Sequence, residues 1–327
     1  MESDRLFELR RRTFDTPHFK GIEFIEVEAK SIINHVPGNY MPFSWTINPY
    51  RGCTMWCRYC FARSTHTYLD MNAGRDFETK IVVKVNAPEL LKKELRAKRW
   101  AGEHIAMGTA TDPYQRAEGR YKLMPRIIET LAMYRNPFSI LTKGTLIMRD
   151  IDLLMDAAQV TDVSTAFSIA TLDEDVWRKS EPGTPHPRKR IKAVEQLNAA
   201  GVPCGVLVAP ILPGISDGEH QLREVVEAAL DAGATHVSPI LLHLRPKVKE
   251  VYMDWLADTY PDLVDRYIQM YPGSYASKKD KVDLSQRVAA IKKAAGPRSN
   301  QPLPRERWMR RARREIESLR SEQLKLI

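Results

Sequence analysis

Three of the chain's four cysteines stand close together, in Asn48-Pro49-Tyr50-Arg51-Gly52-Cys53-Thr54-Met55-Trp56-Cys57-Arg58-Tyr59-Cys60-Phe61. With three residues between Cys53 and Cys57 and two between Cys57 and Cys60, one loop can aim three thiolates at a single metal-sized point. Soft thiolates favour zinc, copper(I) or iron-sulfur clusters, and a closed zinc or cluster site takes four protein ligands. The fourth cysteine, Cys204, lies far away in Val202-Pro203-Cys204-Gly205-Val206-Leu207-Val208, which reads as a buried strand. One reading is a zinc loop completed by Cys204 or by a histidine such as His66. The other is a cluster held by three cysteines, which leaves one iron open for chemistry.

The elements that must position this loop alternate. Trp45-Thr46-Ile47-Asn48-Pro49 reads as a short strand running into it. Strand-like runs recur at 104–108, 138–142, 163–169, 206–209 and 236–242, about six in all. Helical patterns lie between them: Asn86 as a cap with Pro88 in the first turn, 126–134, 150–159, 188–200 stopping at Gly201 and 219–232 stopping at Gly233. Such alternation predicts an α/β fold with a mostly parallel sheet, its functional loops at the strands' C-terminal ends. Gly21 to Ala29 adds a strand ahead of the cysteine loop, and 252–270 a helix broken at Pro261.

The spacing C-x3-C-x2-C, with Tyr59 just before the third cysteine, resembles the radical S-adenosylmethionine (radical SAM) superfamily. The resemblance covers roughly residues 44–243 and implies an incomplete (β/α)6 barrel, with an N-terminal extension at 1–43 and a C-terminal helical extension with a basic tail at 244–327. It implies that Cys53, Cys57 and Cys60 hold a 4Fe-4S cluster whose unique iron is chelated by the amino and carboxylate groups of SAM. An electron from a carrier such as flavodoxin or ferredoxin would then cleave SAM to methionine and a 5′-deoxyadenosyl radical, which takes hydrogen from substrate. By the same resemblance Tyr59 sits beside the adenine; Trp56 and Phe61 are expected to shield the cluster from water, since burial helps set its potential. In Gly108-Thr109-Ala110-Thr111-Asp112-Pro113-Tyr114-Gln115, the acceptors Thr109, Thr111 and Asp112 face the SAM amino group. Lys143 suits the SAM carboxylate, Ser168 a ribose hydroxyl, Arg190 a further cofactor contact, and 210–217 the adenine pocket. His236 and His243, flanking the sixth strand, and the buried Cys204 are expected to be structural.

Within the superfamily the pattern is most similar to the spore photoproduct lyase-like branch, often labelled DNA repair photolyases. Those lyases carry Cys-Thr-Ser-Asp after the second strand, the cysteine donating a hydrogen atom to the product radical. This chain has Thr109-Ala110-Thr111-Asp112. A threonine O–H bond is too strong to replace S–H, so lesion repair is not implied. Three classes stay open: a radical SAM enzyme of unassigned substrate, nucleic acid among the choices; radical chemistry on a peptide, protein or small molecule; and a nucleic-acid-binding or redox-sensing iron-sulfur protein without radical catalysis. Methylthiolation fits poorly, because too few cysteines remain for a second, fully cysteine-ligated cluster.

Composition agrees with a globular enzyme. Of 327 residues, 43% are hydrophobic and 28% charged, outside the disordered range, and no apolar run is long enough to span a bilayer. The first twelve residues lack an apolar signal core, so the expectation is a cytoplasmic protein with reduced cysteines. The formal net charge is +9, most concentrated at Arg305, Arg307, Arg310, Arg311, Arg313 and Arg314. Beyond the Pro297–Pro304 linker these alternate with Trp308, Ala312, Ile316 and Leu319. That pattern reads as a docked helix with a solvated basic side, with phosphate contact as the alternative.

Overall fold

The computed structural model of the protein describes residues 10–38 and 41–296. Its centre is a seven-stranded sheet. Six strands are those expected, and we number them β1 (Trp45–Ile47), β2 (Ile105–Met107), β3 (Phe138–Thr142), β4 (Val163–Ser168), β5 (Cys204–Ile211) and β6 (Val237–Leu241). They lie side by side in chain order and all in parallel, with Ile33–His35 antiparallel to β1 at the far edge. Strand followed by helix followed by the adjacent parallel strand is the expected incomplete barrel, open between β6 and the β1 edge.

Burial explains why these runs form strands. Ile105, Phe138, Ile140, Phe167, Val206 and Val208 are almost wholly withdrawn from water, each worth on the order of 2 kcal/mol. The helices Pro187–Ala199 and Glu219–Asp231 both stop before a glycine of positive φ, Gly201 at 81° and Gly233 at 71°, a conformation that side chains with a Cβ resist. The break at Pro261 is also present, as a short 3-10 turn between helices Val248–Thr259 and Val264–Met270.

One local expectation is corrected, and one element was not foreseen. Asn86 stands before helix Ala87–Leu95 but makes no side-chain cap. Its amide accepts from the Ala29 N–H at 2.9 Å and donates to the Ala29 carbonyl at 3.0 Å, so a tertiary contact takes the group that the helix end would use. The unforeseen element is a strand, Lys80–Lys84, whose apolar core of Ile81, Val82 and Val83 is too short to stand out. It centres a second, four-stranded sheet in the order Arg10–Arg12, Glu23–Val27, Lys80–Lys84, Tyr50–Arg51. That sheet grips the start of the cysteine loop.

After β6 the chain turns back through Ser274–Ala276 into helix Lys278–Ala295, which packs on β6 and on Glu219–Asp231. The arginine cluster at 305–314 and Trp308 lie outside the described residues. Among the described residues no helix is long and apolar enough to cross a membrane.

Candidate cofactor site

The cysteine loop is braced from below by the small sheet. Tyr50 and Arg51 pair with Val83 and Val82, and the Cys53 N–H donates to the Phe77 carbonyl at 2.9 Å. Gly52 allows this approach: its φ is 79°, and a Cβ there would come within 2.9 Å of both His66 Cε1 and the Lys80 carbonyl. Arg63, wholly buried, ties the loop's middle. Its guanidinium donates to the Cys57 carbonyl from Nε at 3.3 Å and Nη2 at 2.8 Å, to the Ala73 and Gly74 carbonyls from Nη1, and pairs with Glu78. Sequence reading missed Arg63; its only trace is a cation three residues after the last cysteine, where a charge would not be expected to be buried.

Above the loop, the C-terminal ends of β2 to β6 line an open-mouthed cavity of about 180 Å³. Cys53, Cys57 and Cys60 line it together with Tyr59, Thr111, Asp112, Lys143 and Ser168, against apolar walls that include Leu141, Leu207, Pro210 and Ile240. All three cysteines are free thiols. Burial pushes each thiol pKa up, reinforced at Cys53 by the charges of Asp112 and the other cysteines. Such thiols keep their protons until a strong positive charge displaces them, which fits metal ligands better than nucleophiles. Among the described residues no three His, Cys, Asp or Glu side chains converge tightly enough for one metal ion; a cluster differs in giving each thiolate its own iron. Neither residue weighed for a zinc site reaches the cavity. Cys204 is buried on β5 with its pKa pushed up to about 12 by burial, and the His66 ring is engaged with the Lys80 carbonyl at 3.0 Å.

The polar wall is one connected network, and its hub is Glu181, which sequence reading passed over. Glu181 is 1% exposed. It pairs with Arg190 at 2.6 Å and with Lys143 at 3.0 Å, and it accepts from the Tyr59 hydroxyl and from Thr184. Burial pushes its carboxyl pKa up, but Arg190 and then Lys143 outweigh that and hold it at about 2. Lys143 also donates to Ser168 Oγ at 2.7 Å and lies 5.5 Å above the Tyr59 ring. The backbone joins in: Arg58 N donates to the Ser180 carbonyl at 3.0 Å and Gly183 N to the Met55 carbonyl at 3.1 Å. The loop after β4 is thereby clamped onto the cysteine loop.

Other expected residues divide by position. Asp112 lines the cavity and braces it, accepting from Thr142 Oγ1 at 2.6 Å, the Lys143 N–H at 2.7 Å and the Tyr114 N–H at 2.9 Å. Burial raises its pKa against these bonds. Thr111 donates to the Gly52 carbonyl at 2.7 Å and accepts from Gln115 at 2.9 Å. Thr109 does not line the cavity; its hydroxyl meets Asn48. Arg190 stands behind the wall, spent on Glu181, the Ser168 carbonyl at 2.8 Å and the Pro185 carbonyl at 3.1 Å. Trp56 points away, its Nε1 on the Glu78 carbonyl at 3.2 Å and its ring beneath Arg116. Phe61 does line the cavity, but at 43% exposure it belongs to the mouth. His243 lines it as well and His236 does not.

Comparison with known proteins agrees with this geometry. The profile of the Radical SAM superfamily matches residues 47–229. An uncharacterized protein of Mycobacterium tuberculosis is 48% identical over 282 residues, covering 86% of this chain and 83% of that one. Spore photoproduct lyase of Bacillus subtilis is 28% identical over 194 residues, 57% of this chain and 51% of the lyase. A solved spore photoproduct lyase mutant with bound AdoMet and dinucleoside spore photoproduct superposes with a TM-score of 0.62 at 17% identity, over 89% of this chain and 86% of that one, a likeness of fold. A three-cysteine loop over the open end of an incomplete parallel barrel, joined to that profile match, makes this chain a member of the radical SAM superfamily, enzymes that use a 4Fe-4S cluster and SAM.

Proposed function

We propose that Cys53, Cys57 and Cys60 hold the cluster in this cavity and that SAM binds beside it. Lys143 takes the SAM carboxylate, Thr111 and Asp112 face the amino group, Ser168 meets the ribose and Tyr59 flanks the adenine. When bound, this pair supplies a 5′-deoxyadenosyl radical that takes a hydrogen atom from the substrate. One observation carries the reading: a single cavity is lined both by the three free thiols and by these five polar residues.

The electrostatics support it. Lys143 lines the cavity and, beside its pairing with Glu181, offers a charged donor suited to an incoming carboxylate. Asp112 spends three of its roughly four acceptor positions on the protein and keeps one for a donor such as an amine. A cluster kept only for structure or redox sensing has no use for such a wall. No fourth thiol lines the cavity, so the thiol-based hydrogen return of the lyases is not carried over. The reductant is a one-electron carrier of the flavodoxin or ferredoxin kind. The substrate enters by the mouth, beside which Arg245 and Lys281 hold to Tyr275, the neighbour of His243, and favour an anionic partner such as nucleic acid.

The test is SAM binding by anaerobic equilibrium dialysis to the reconstituted protein. Lys143→Met is expected to weaken SAM about 10- to 100-fold, the worth of a hydrogen bond to a charged group, while leaving the cluster's iron content unchanged. Unaltered affinity would remove Lys143 from the site and with it the proposed orientation of SAM.

A further inference from the structure

The cavity's mouth carries a second arrangement that the cofactor does not use. His243, at the end of β6, faces the cavity and meets the Tyr275 ring at 5.6 Å, tilted by 48°. Tyr275 is 47% exposed. Two exposed cations hold to it: Lys281 Nζ lies 4.8 Å from the centre of its ring, and Arg245 Nη2 donates to its hydroxyl at 3.1 Å. After burial, the charge of Arg245 and then that of Lys281 lower the His243 pKa. Phe61, half exposed, stands on the cavity wall formed by the cysteine loop. The nearby acid, Asp280, is turned to Ser277 at the start of its own helix, at 2.7 Å.

An exposed aromatic ring with one cation over its face and another on its hydroxyl joins a stacking surface to a phosphate site, a base taking the place of the lysine on the ring. A peptide would be expected to add to the free edge of β6 instead. That edge is closed at this point, since His243 bridges to Tyr275 and the Leu244 N–H donates to the Ser274 carbonyl at 2.8 Å. We infer that Tyr275 and His243 stack a nucleobase, and that Arg245 and Lys281 bind its phosphate, at the entrance to the cavity. This rests on the proposed SAM site, whose open side it would supply with substrate. A free nucleotide and a base within single-stranded nucleic acid share this chemistry.

The experiment measures fluorescence anisotropy of a fluorescein-labelled ten-residue oligothymidylate with the anaerobically reconstituted protein and SAM, in rising salt. Thymidine monophosphate serves as competitor, and 5′-deoxyadenosine formation is assayed on the same samples. Tyr275→Ala is expected to weaken binding about tenfold, the worth of one stacked base. Arg245→Gln with Lys281→Gln is expected to flatten the salt dependence by about 1.4 in log–log slope. Tyr68→Ala, which removes an aromatic that is 82% exposed and outside the cavity, should change neither. Competition by the monophosphate at concentrations near those of the oligonucleotide identifies a free nucleotide as the ligand, and its failure identifies the strand. Binding that both rim variants leave intact, or no binding by protein that still forms deoxyadenosine, overturns the inference alone. Absence of both binding and deoxyadenosine overturns the SAM site first, and the inference with it.

Discussion

Replacing Glu181 with alanine is expected to lower stability by about 3–5 kcal/mol, the cost of leaving buried cations without their partner, and to weaken SAM binding as well. The carboxylate pairs with both Arg190 and Lys143, and it also receives the Tyr59 hydroxyl. Without it two positive charges are left buried side by side, and the loop after β4 loses its side-chain hold on the cysteine loop. The pH dependence has a definite sign. The pKa in the fold, about 2, lies below the ordinary 4.5, so these ion pairs stabilise fully above the ordinary value and their contribution fades as pH falls toward 2. Urea midpoints of wild type and Glu181→Gln should therefore differ at pH 7 and approach one another at pH 3. A gap that is constant or widens on acidification would contradict the ion-pair assignment, and an unchanged midpoint for Glu181→Ala would contradict the hub itself.

Gly108→Ala should be as damaging by a different route. Gly108 directly follows β2 at φ 87°, and a Cβ built there lies 1.9 Å from the Leu141 carbonyl oxygen on the adjoining strand. Backbone cannot swing aside as a long side chain would, so β2 and β3 must separate at the cavity floor. Overpacking and left-handed strain together cost roughly 2–6 kcal/mol. Gly201→Ala is the control: its φ is 81°, yet nothing lies within 4 Å of the added carbon, so only the backbone strain of about 1–2 kcal/mol applies. Chemical denaturation of the two variants should separate them clearly. Equal midpoints would mean that the strands are not held this close.

The contrast between Gly108 and Glu181 shows where the sequence was readable. The cysteine spacing is local, the strands carry continuous apolar runs, and Gly201 and Gly233 mark helix ends within a few residues, so the barrel and the cysteine loop could be placed without coordinates. Lys143 and Ser168 could be placed too, because each directly ends a strand. Glu181 could not, since its partners Tyr59 and Lys143 stand 122 and 38 residues away in sequence and no local pattern distinguishes it from a surface carboxylate. Arg190 was foreseen as a cofactor contact, but a fully buried guanidinium beside a buried carboxylate is engaged before any ligand arrives. Trp56 fails for a related reason. Its position beside Cys57 suggested shielding, whereas its positive φ of 54° turns the ring toward Arg116. The N-terminal segment lends Ile33–His35 to the main sheet and Glu23–Val27 to the small one, pairings across distances that strand propensity does not encode.

The most direct measurement is anaerobic reconstitution of wild type and Cys57→Ala with iron and sulfide, followed by dithionite and SAM, with 5′-deoxyadenosine separated by chromatography and the cluster followed by electron paramagnetic resonance. Wild type should form deoxyadenosine and show a reduced-cluster signal that shifts when SAM is added, and Cys57→Ala should do neither. A wild-type cluster that forms but whose signal ignores SAM, with no deoxyadenosine produced, would contradict the assignment of this cavity to radical SAM chemistry.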